Sequence, residues 1–398
     1  MQSKAVNVAI IIAAQILALA LWFSGTAAGP GMAREAPTVT ASFQAMLTGA
    51  VQAGFVLGTL ICAILSLPDR FDPRRLFAAS AIIGALANAT ILFLPPGESA
   101  MLVARLITGM CLAGVYPVGM KLAIGWADRG DAGLLVGLLV AGLTLGSASP
   151  HLVNSFGAIP WRVALATASG GAVFAAVLIT LVQLGPRHGR AARFRPGAAL
   201  ELCRRRGLRL VTTGYLGHMW ELYAMWAWVG AYLQASFAAW RGGEAAPAPF
   251  LTFLIIAAGA IGSVAAGFLA DRFGRVPVTV TAMLISGTCC LLAGVAFGLH
   301  PAWTVLLCLV WGVAVVADSA QFSASAAELS EPALVGTVLT MQTCLGFALT
   351  IVTIQLMPFL VAWLGWGGSF AVLAAGPLLG AWAMLRLGPQ AGVTPARS

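Results

Sequence analysis

The chain has 398 residues, 60% of them hydrophobic and only 9% charged, with a formal net charge of +9. Soluble domains carry about 25% charged residues, so no soluble fold of this length could cover such a composition with polar surface. The bilayer sets the length rules instead, and the chain reads as an integral membrane protein.

The positive charge sits in loops and turns, with no Lys/Arg stripe interleaved with stacking aromatics. That distribution argues against a nucleic-acid partner and for the positive-inside bias of membrane chains. The seven cysteines are odd in number, contain no CxxC, and all but Cys203 fall in apolar runs. They read as small buried hydrophobes.

Lys4 precedes an apolar run from Ala5 to Ala28. It is longer than a signal-peptide core of roughly 7–15 residues and reads as the first span. Further runs of spanning length follow at 43–67, 75–95, 100–126, 132–157 and 161–184, then at 209–237, 249–270, 276–298, 302–327, 333–359 and 364–386. The expected fold is an all-α membrane protein of twelve transmembrane helices in two six-helix bundles. The bundles are 1–184 and 209–398, joined by a basic linker at 185–208. Helices follow because lipid satisfies no backbone donors.

Placing both termini inside puts Lys4, Arg70, Arg74, Arg75, Arg129, the arginines from Arg187 to Arg209, Arg272, Arg275, Arg386 and Arg397 on the cytoplasmic face. Only Arg34, Arg162 and Arg241 then face outward, an asymmetry that fixes the topology. Small residues recur four apart, as at Gly54 and Gly58, Gly133 and Gly137, and Gly142 and Gly146, with Gly259 and Gly262 in a further cluster. Such spacing lets helix backbones approach closely, whether as sliding seams or as static packing.

One charged turn stands in both halves. Gly267-Phe-Leu-Ala-Asp-Arg-Phe-Gly-Arg275 follows the eighth span, and a partial copy, Leu67-Pro-Asp-Arg-Phe-Asp-Pro-Arg-Arg75, follows the second. Two six-helix halves, a basic central loop and these turns resemble the major facilitator superfamily of transporters over nearly the whole chain. The family turn reads roughly GxxxDRxGRR. Gly267, Asp271, Arg272, Gly274 and Arg275 match it, whereas the first copy has Leu65 and Asp72 where glycines would stand. Arg105, Gly109, Ala113 and Pro117 fit a second family element in the fourth span. The exchanger element of the fifth span is altered to Gly142-Leu-Thr-Leu-Gly146-Ser-Ala-Ser-Pro150, which favours uptake over efflux.

The resemblance implies alternating access about a midplane site. Asp69, Arg70, Asp271, Arg272 and Arg275 would be cytoplasmic gating residues, with Asp271 opposing a helix N-terminus or an arginine. The second latch is expected to matter more than the first.

An ionisable side chain at mid-bilayer costs at least ~2.5–3.5 kcal/mol, so such residues point to function. Glu221 and Asp318 are the candidate proton carriers, since a carboxyl removed from water can take up and release a proton. Each could instead be a hydrogen-bonded structural group. Arg105 offers a permanent bidentate cation for an anionic solute or for a structural ion pair. Lys121 reads as a snorkelling residue. His151, Asn154, His218, Trp226, Gln321 and Gln342 complete the candidate solute contacts. His218 and Met225 share a helix face with Glu221 and raise a soft-metal alternative.

The resulting expectation is a non-enzymatic, cofactor-free, monomeric secondary transporter of a bacterial inner membrane. It would move a small polar or anionic organic solute with protons. The alternatives are a drug or metabolite efflux antiporter, a copper importer, and a membrane sensor or assembly factor on the same scaffold.

Overall fold

The computed structural model describes residues 3–128, 131–156, 160–189, 194–241 and 247–388. The cytoplasmic charges expected at Arg129, Arg190, Arg193 and Arg397 lie outside the described residues, as does the side chain of Arg241.

The regular elements of the described residues are helices. In order, the helices are α1 Lys4–Glu35, α2 Ala41–Ile64, α3 Leu67–Arg70, α4 Pro73–Thr90, α5 Ala100–Leu112, α6 Tyr116–Ile124, α7 Ala132–Val153, α8 Trp161–Thr180, α9 Glu201–Arg204, α10 Arg206–Arg241, α11 Ala248–Phe273, α12 Arg275–Ala296, α13 Pro301–Ala317, α14 Ser319–Leu329, α15 Val335–Leu373 and α16 Ala375–Leu387. Among the described residues, 10 helical runs are long and apolar enough to cross a membrane. The chain is therefore an all-α, multi-pass membrane protein.

The departures from the expected limits have local causes. The run at 100–126 breaks after Leu112 and resumes at Tyr116, with Pro117 in the first turn of α6; proline is favoured there and disfavoured in a helix interior. The run at 302–327 breaks at Asp318, which ends α13 and begins α14. α15 passes through a kink at Gly365, whose φ of 63° is readily adopted only by glycine. α10 is not among the ten, because its tryptophans and tyrosines, with His218 and Glu221, lower its hydropathy.

Within the first half, α1 packs on α7 and α8, α2 on α5, and α4 on α8. Within the second, α10 packs on α15 and α16, and α13 on α11 and α12. Two seams join the halves, α7 with α11 and α2 with α15. The glycine spacing expected to allow close approach does so at the α2–α5 seam. A Cβ on Gly54 would lie 2.0 Å from the Leu106 carbonyl oxygen, so no other residue fits. At the α7–α11 seam the Ser263 hydroxyl donates to the Gly137 carbonyl at 3.0 Å.

Charged residues gather at the end carrying the Asp-Arg turns. Lys4 pairs with Asp128 at 2.6 Å and with Asp131. The Lys4 ammonium holds the Asp131 carboxyl below the usual carboxylate range, and Asp128 and Asp131 raise the Lys4 ammonium above its ordinary value. The linker is tied to the second half, with Arg205 bonding both Glu201 and Glu331. The Arg195 amide donates to Thr337 Oγ1 at 3.1 Å.

Candidate functional site

A cavity of about 400 Å³ lies between the two sets of helices, at the end away from the Asp-Arg turns. α1, α2 and α7 form one wall, and α10 and α11 the other. His151 and Asn154, expected as solute contacts, both line it. Asn154 caps the C-terminus of α7 and donates to the Ala27 carbonyl at 2.6 Å, while its Oδ1 and the Nε2 of His151 are buried without hydrogen-bond partners. Buried polar groups normally find partners, so two unpartnered atoms on residues that line one cavity are unusual, although both atoms are closed off from solvent in this arrangement. Pro150 lies inside α7 one residue before His151, in the last turn of the helix.

The cavity also exposes side chains that the sequence did not single out: Arg34 at its rim, Gln44 from α2 and Gln234 from α10. Gly29 makes room for Gln44, because a Cβ there would lie 2.8 Å from the Gln44 Oε1. Such polar residues near helix ends look like ordinary interfacial positions in sequence. Only the packing of α1 against α2 reveals them as cavity walls.

Beyond the cavity, a layer of aromatic side chains bridges the halves. Trp22 and Phe23 of α1 and Phe55 of α2 meet Tyr223 and Trp226 of α10 and Phe347 of α15, all buried. Ring centroids are 5.4 Å apart for Trp22–Phe347, 4.5 Å for Phe55–Phe347 and 5.7 Å for Phe23–Trp226. Trp22 Nε1 donates to Gln52 at 3.3 Å, while the Nε1 of Trp226 has no partner. A smaller cavity of about 170 Å³ lies on the other side, walled by Cys62, Asp69, Lys121, the linker's Phe194 and Thr337.

The buried ionisable residues occupy three separate settings. His218 Nδ1 stands 2.8 Å from Asp318 Oδ1, an ion-pair distance in an orientation outside hydrogen-bond geometry, and His218 Nε2 has no partner. Both are nearly inaccessible, at 1% and 3%. Asp318 stands at the junction of α13 and α14, both of which pack on α10. Glu221 lies instead in a knot of three helices. Its Oε1 accepts from Ser286 at 2.5 Å, from Cys290 at 3.0 Å and from Trp311 Nε1 at 2.5 Å.

Arg105 is fully buried and directs its guanidinium at neutral acceptors. It donates to the Leu21 and Trp22 carbonyls at 2.9 and 2.5 Å, to Ser24 at 3.2 Å and to Asn88 Oδ1 at 2.8 Å. Gly25 leaves the space it needs, since a Cβ there would be 2.9 Å from Arg105 Nε. It lines none of the cavities described above. Gln342 is buried with both amide atoms unpartnered, and Met225 is buried in the core of α10. Among the described residues no group of three or more His, Cys, Asp and Glu side chains is placed to hold a metal.

The two Asp-Arg turns engage different partners. In the first, Asp69 accepts from Lys121 at 2.5 Å within the same half, and Lys121 also donates to the Pro68 carbonyl. Arg70 is exposed. In the second, the Asp271 carboxylate lies at the first turn of α7, across the seam, 3.7 Å from where a Cβ on Gly133 would stand. Arg272 stacks on Phe273 with its guanidinium 5.3 Å from the ring centroid. Arg275 bridges α12 to α14, pairing with Glu328 at 2.7 Å and donating to Gln321 at 2.9 Å. Gln321, expected to contact solute, thus stands with Arg275, which was expected at the gate.

Helical runs of this length, a cavity between two sets of helices with several polar side chains in its lining, and charged turns at one end are features of a polytopic membrane protein with room for a small solute. Residues 10–338 match the family model of the Major Facilitator Superfamily, and the chain belongs to that superfamily of secondary transporters, whose members are not enzymes. The chain is 29% identical over 144 residues to the Inner membrane metabolite transport protein YgcS of Escherichia coli (strain K12). That match covers 35% of the chain and 31% of the relative, so the chain aligns with about a third of that protein's length. In fold, it is similar to the crystal structure of the human organic anion transporter MFSD10 (TETRAN), with TM-score 0.71 and 17% identity over 96% of this chain and 100% of that one. It is equally similar to a variant of the nucleoside transporter NupG, with TM-score 0.71 and 15% identity over 96% and 100% of the two chains.

Proposed function

We propose that the chain carries a small polar or anionic organic solute across a bacterial inner membrane by alternating access, in the direction of uptake and with protons. In this reading the 10 apolar runs resolve into twelve spans in two six-helix bundles once α10 is counted and the Val335–Leu387 run is divided. Both termini are cytoplasmic, and the protein works as a monomer. The observation that carries the reading is the cavity of about 400 Å³ walled by both halves and lined by His151, Asn154, Gln44 and Gln234. In this orientation its position at the end away from the charged turns makes it the outer cavity.

The aromatic layer would separate this cavity from the inner one, and rocking of the halves along the α7–α11 and α2–α15 seams would transfer access. Of the two candidate proton carriers, Asp318 is the better placed. It faces an imidazole with an unused nitrogen, whereas Glu221 is engaged by three donors from two other helices. Similarity to a metabolite transport protein is in keeping with this reading.

The test is accumulation in proteoliposomes under an imposed pH gradient, across a broad panel of labelled polar and anionic metabolites. At least one solute should accumulate with the gradient and not without it. Asp318→Asn should abolish gradient-driven accumulation yet retain solute exchange. Failure of every solute to move, with a protein partner co-purifying in fixed ratio, would overturn the transport reading in favour of a sensor or assembly role.

A further inference from the structure

The chemistry lining the cavity narrows the solute class. Glu35 and Arg34 stand at its rim, but Glu35 is already paired with Arg162, both carboxylate oxygens lying 3.1 Å from the same guanidinium nitrogen. Arg34 has no carboxylate at ion-pair distance, so among the described residues of the lining its guanidinium is the charge left unbalanced. A planar guanidinium matches a carboxylate in a two-point contact.

The other polar groups of the lining are neutral hydrogen-bonding ones. Gln44 and Gln234 face the cavity from opposite halves. Each carboxamide presents an acceptor beside a donor, the arrangement that adjacent hydroxyls complement. His151 and Asn154 line the cavity too, and His151 Nε2 and Asn154 Oδ1, closed off from solvent in this arrangement, have no other partner. A site built to hydrogen-bond a solute rejects an analogue lacking the matching groups, because its own polar atoms are then left unpaired. The volume of about 400 Å³ falls at the lower end of ligand pockets, roughly 300–1,000 Å³, which suits one short polar chain or ring.

We propose that the cavity takes a polyhydroxylated carboxylate, an acyclic or cyclic sugar acid, with its carboxylate at Arg34 and its hydroxyls on Gln44, Gln234, His151 and Asn154. This rests on the transport reading and deepens it. Gln44 and Gln234 belong to different halves, so a solute bonded to both favours the closed arrangement over the open one. A carboxylate without hydroxyls makes only the rim contact and leaves the halves unlinked. A neutral sugar makes only the contacts to the neutral groups.

The experiment measures binding to the purified protein, by ligand-induced thermal stabilisation, and uptake into proteoliposomes. The probes are gluconate, glucose, hexanoate and glucose 6-phosphate. Gluconate should bind about tenfold or more tightly than each of the other three. Gln44→Glu and Gln234→Glu keep side-chain shape and place a like charge near the anion; each should weaken gluconate binding by about tenfold with an unchanged unfolding midpoint. Arg34→Gln should erase the preference for gluconate over glucose. Equal binding of glucose or hexanoate, tighter binding of the phosphate ester, or gluconate binding insensitive to the glutamine substitutions overturns the assignment. If gluconate fails while another member of the metabolite panel accumulates, the solute class is wrong and the transport reading stands. If nothing accumulates, the transport reading itself fails.

Discussion

At the scale of single residues, the sequence identifies where polarity is buried but not what each group is bonded to. Arg105 shows why. Its position in an apolar run demanded a partner, and an anionic solute or a carboxylate were the natural candidates. The structure supplies Leu21 and Trp22 carbonyls, Ser24 and Asn88. Backbone carbonyls carry no signature in sequence, so this set was not legible. Arg105→Lys should therefore lower the unfolding midpoint and leave solute affinity unchanged. A single ammonium cannot span that set of acceptors, and each hydrogen bond to a charged group contributes about 1.5–3 kcal/mol. A midpoint unchanged beside a weakened affinity would place Arg105 in the solute path instead. His151 and Asn154 were legible, because two polar residues three apart beside a proline have few roles in a membrane helix. Gln44 was not, because its exposure to a cavity depends on Gly29 of another helix. Gly29→Ala should displace the Gln44 carboxamide, a flexible side-chain end. It should weaken solute affinity several-fold while shifting stability little.

At the scale of elements, helix positions followed from apolar run length, and the breaks came from residues whose effect is local. Pro117 opens α6, Gly365 kinks α15, and Asp318 divides α13 from α14. The last coincides with a buried carboxylate, since Asp318 ends one helix and begins the next while keeping right-handed helical dihedrals. The duplicated turn was visible in sequence, but its unequal wiring needed coordinates. Asp69 is satisfied by Lys121 of its own half, whereas Asp271 lies against the first turn of α7 across the seam. A carboxylate at a helix N-terminus gains about 0.3–1 kcal/mol. Removing that charge by Asp271→Asn should change the rate of solute exchange by a few-fold, with equilibrium affinity preserved. Asp69→Asn should change the rate less. A larger effect at Asp69, or a loss of affinity at Asp271, would contradict a latch at the second turn. The Lys4–Asp131 contact has its own pH window. The lowered Asp131 carboxyl contributes above the ordinary carboxylate range and loses its contribution as pH falls through its folded value. The raised Lys4 ammonium contributes below its ordinary value and loses its contribution only as pH rises through its raised one. This exposed strap should thus be insensitive to pH between about 5 and 10, so a pH dependence of transport near neutrality must come from elsewhere.

At the scale of the whole molecule, composition and charge asymmetry dictated a multi-pass helical protein and suggested an orientation. They said nothing of which conformational state the packing would adopt, because two states of a transporter share one sequence and nearly one set of helices. The cysteines offer a direct reading of both orientation and state. Cys203 is exposed in the linker, Cys62 is half-buried in the inner cavity, and Cys289, Cys290, Cys308 and Cys344 are buried. A membrane-impermeant maleimide should label Cys203 in inside-out vesicles and leave it untouched in intact cells. The reverse pattern would invert the topology that the arginine distribution implies. In a Cys203→Ser background, Cys62 becomes the reporter of inward opening. It lies with Phe194 and Thr337 between the two halves, and a thiol reacts only when reagent and water reach it. Its labelling from the cytoplasmic face should be slow at rest. It should accelerate with Asp271→Asn, which loosens the same face, and slow again with a solute that holds the halves together around the other cavity. Labelling equally fast in every condition would mean that the inner cavity stays open and that access does not alternate across the aromatic layer.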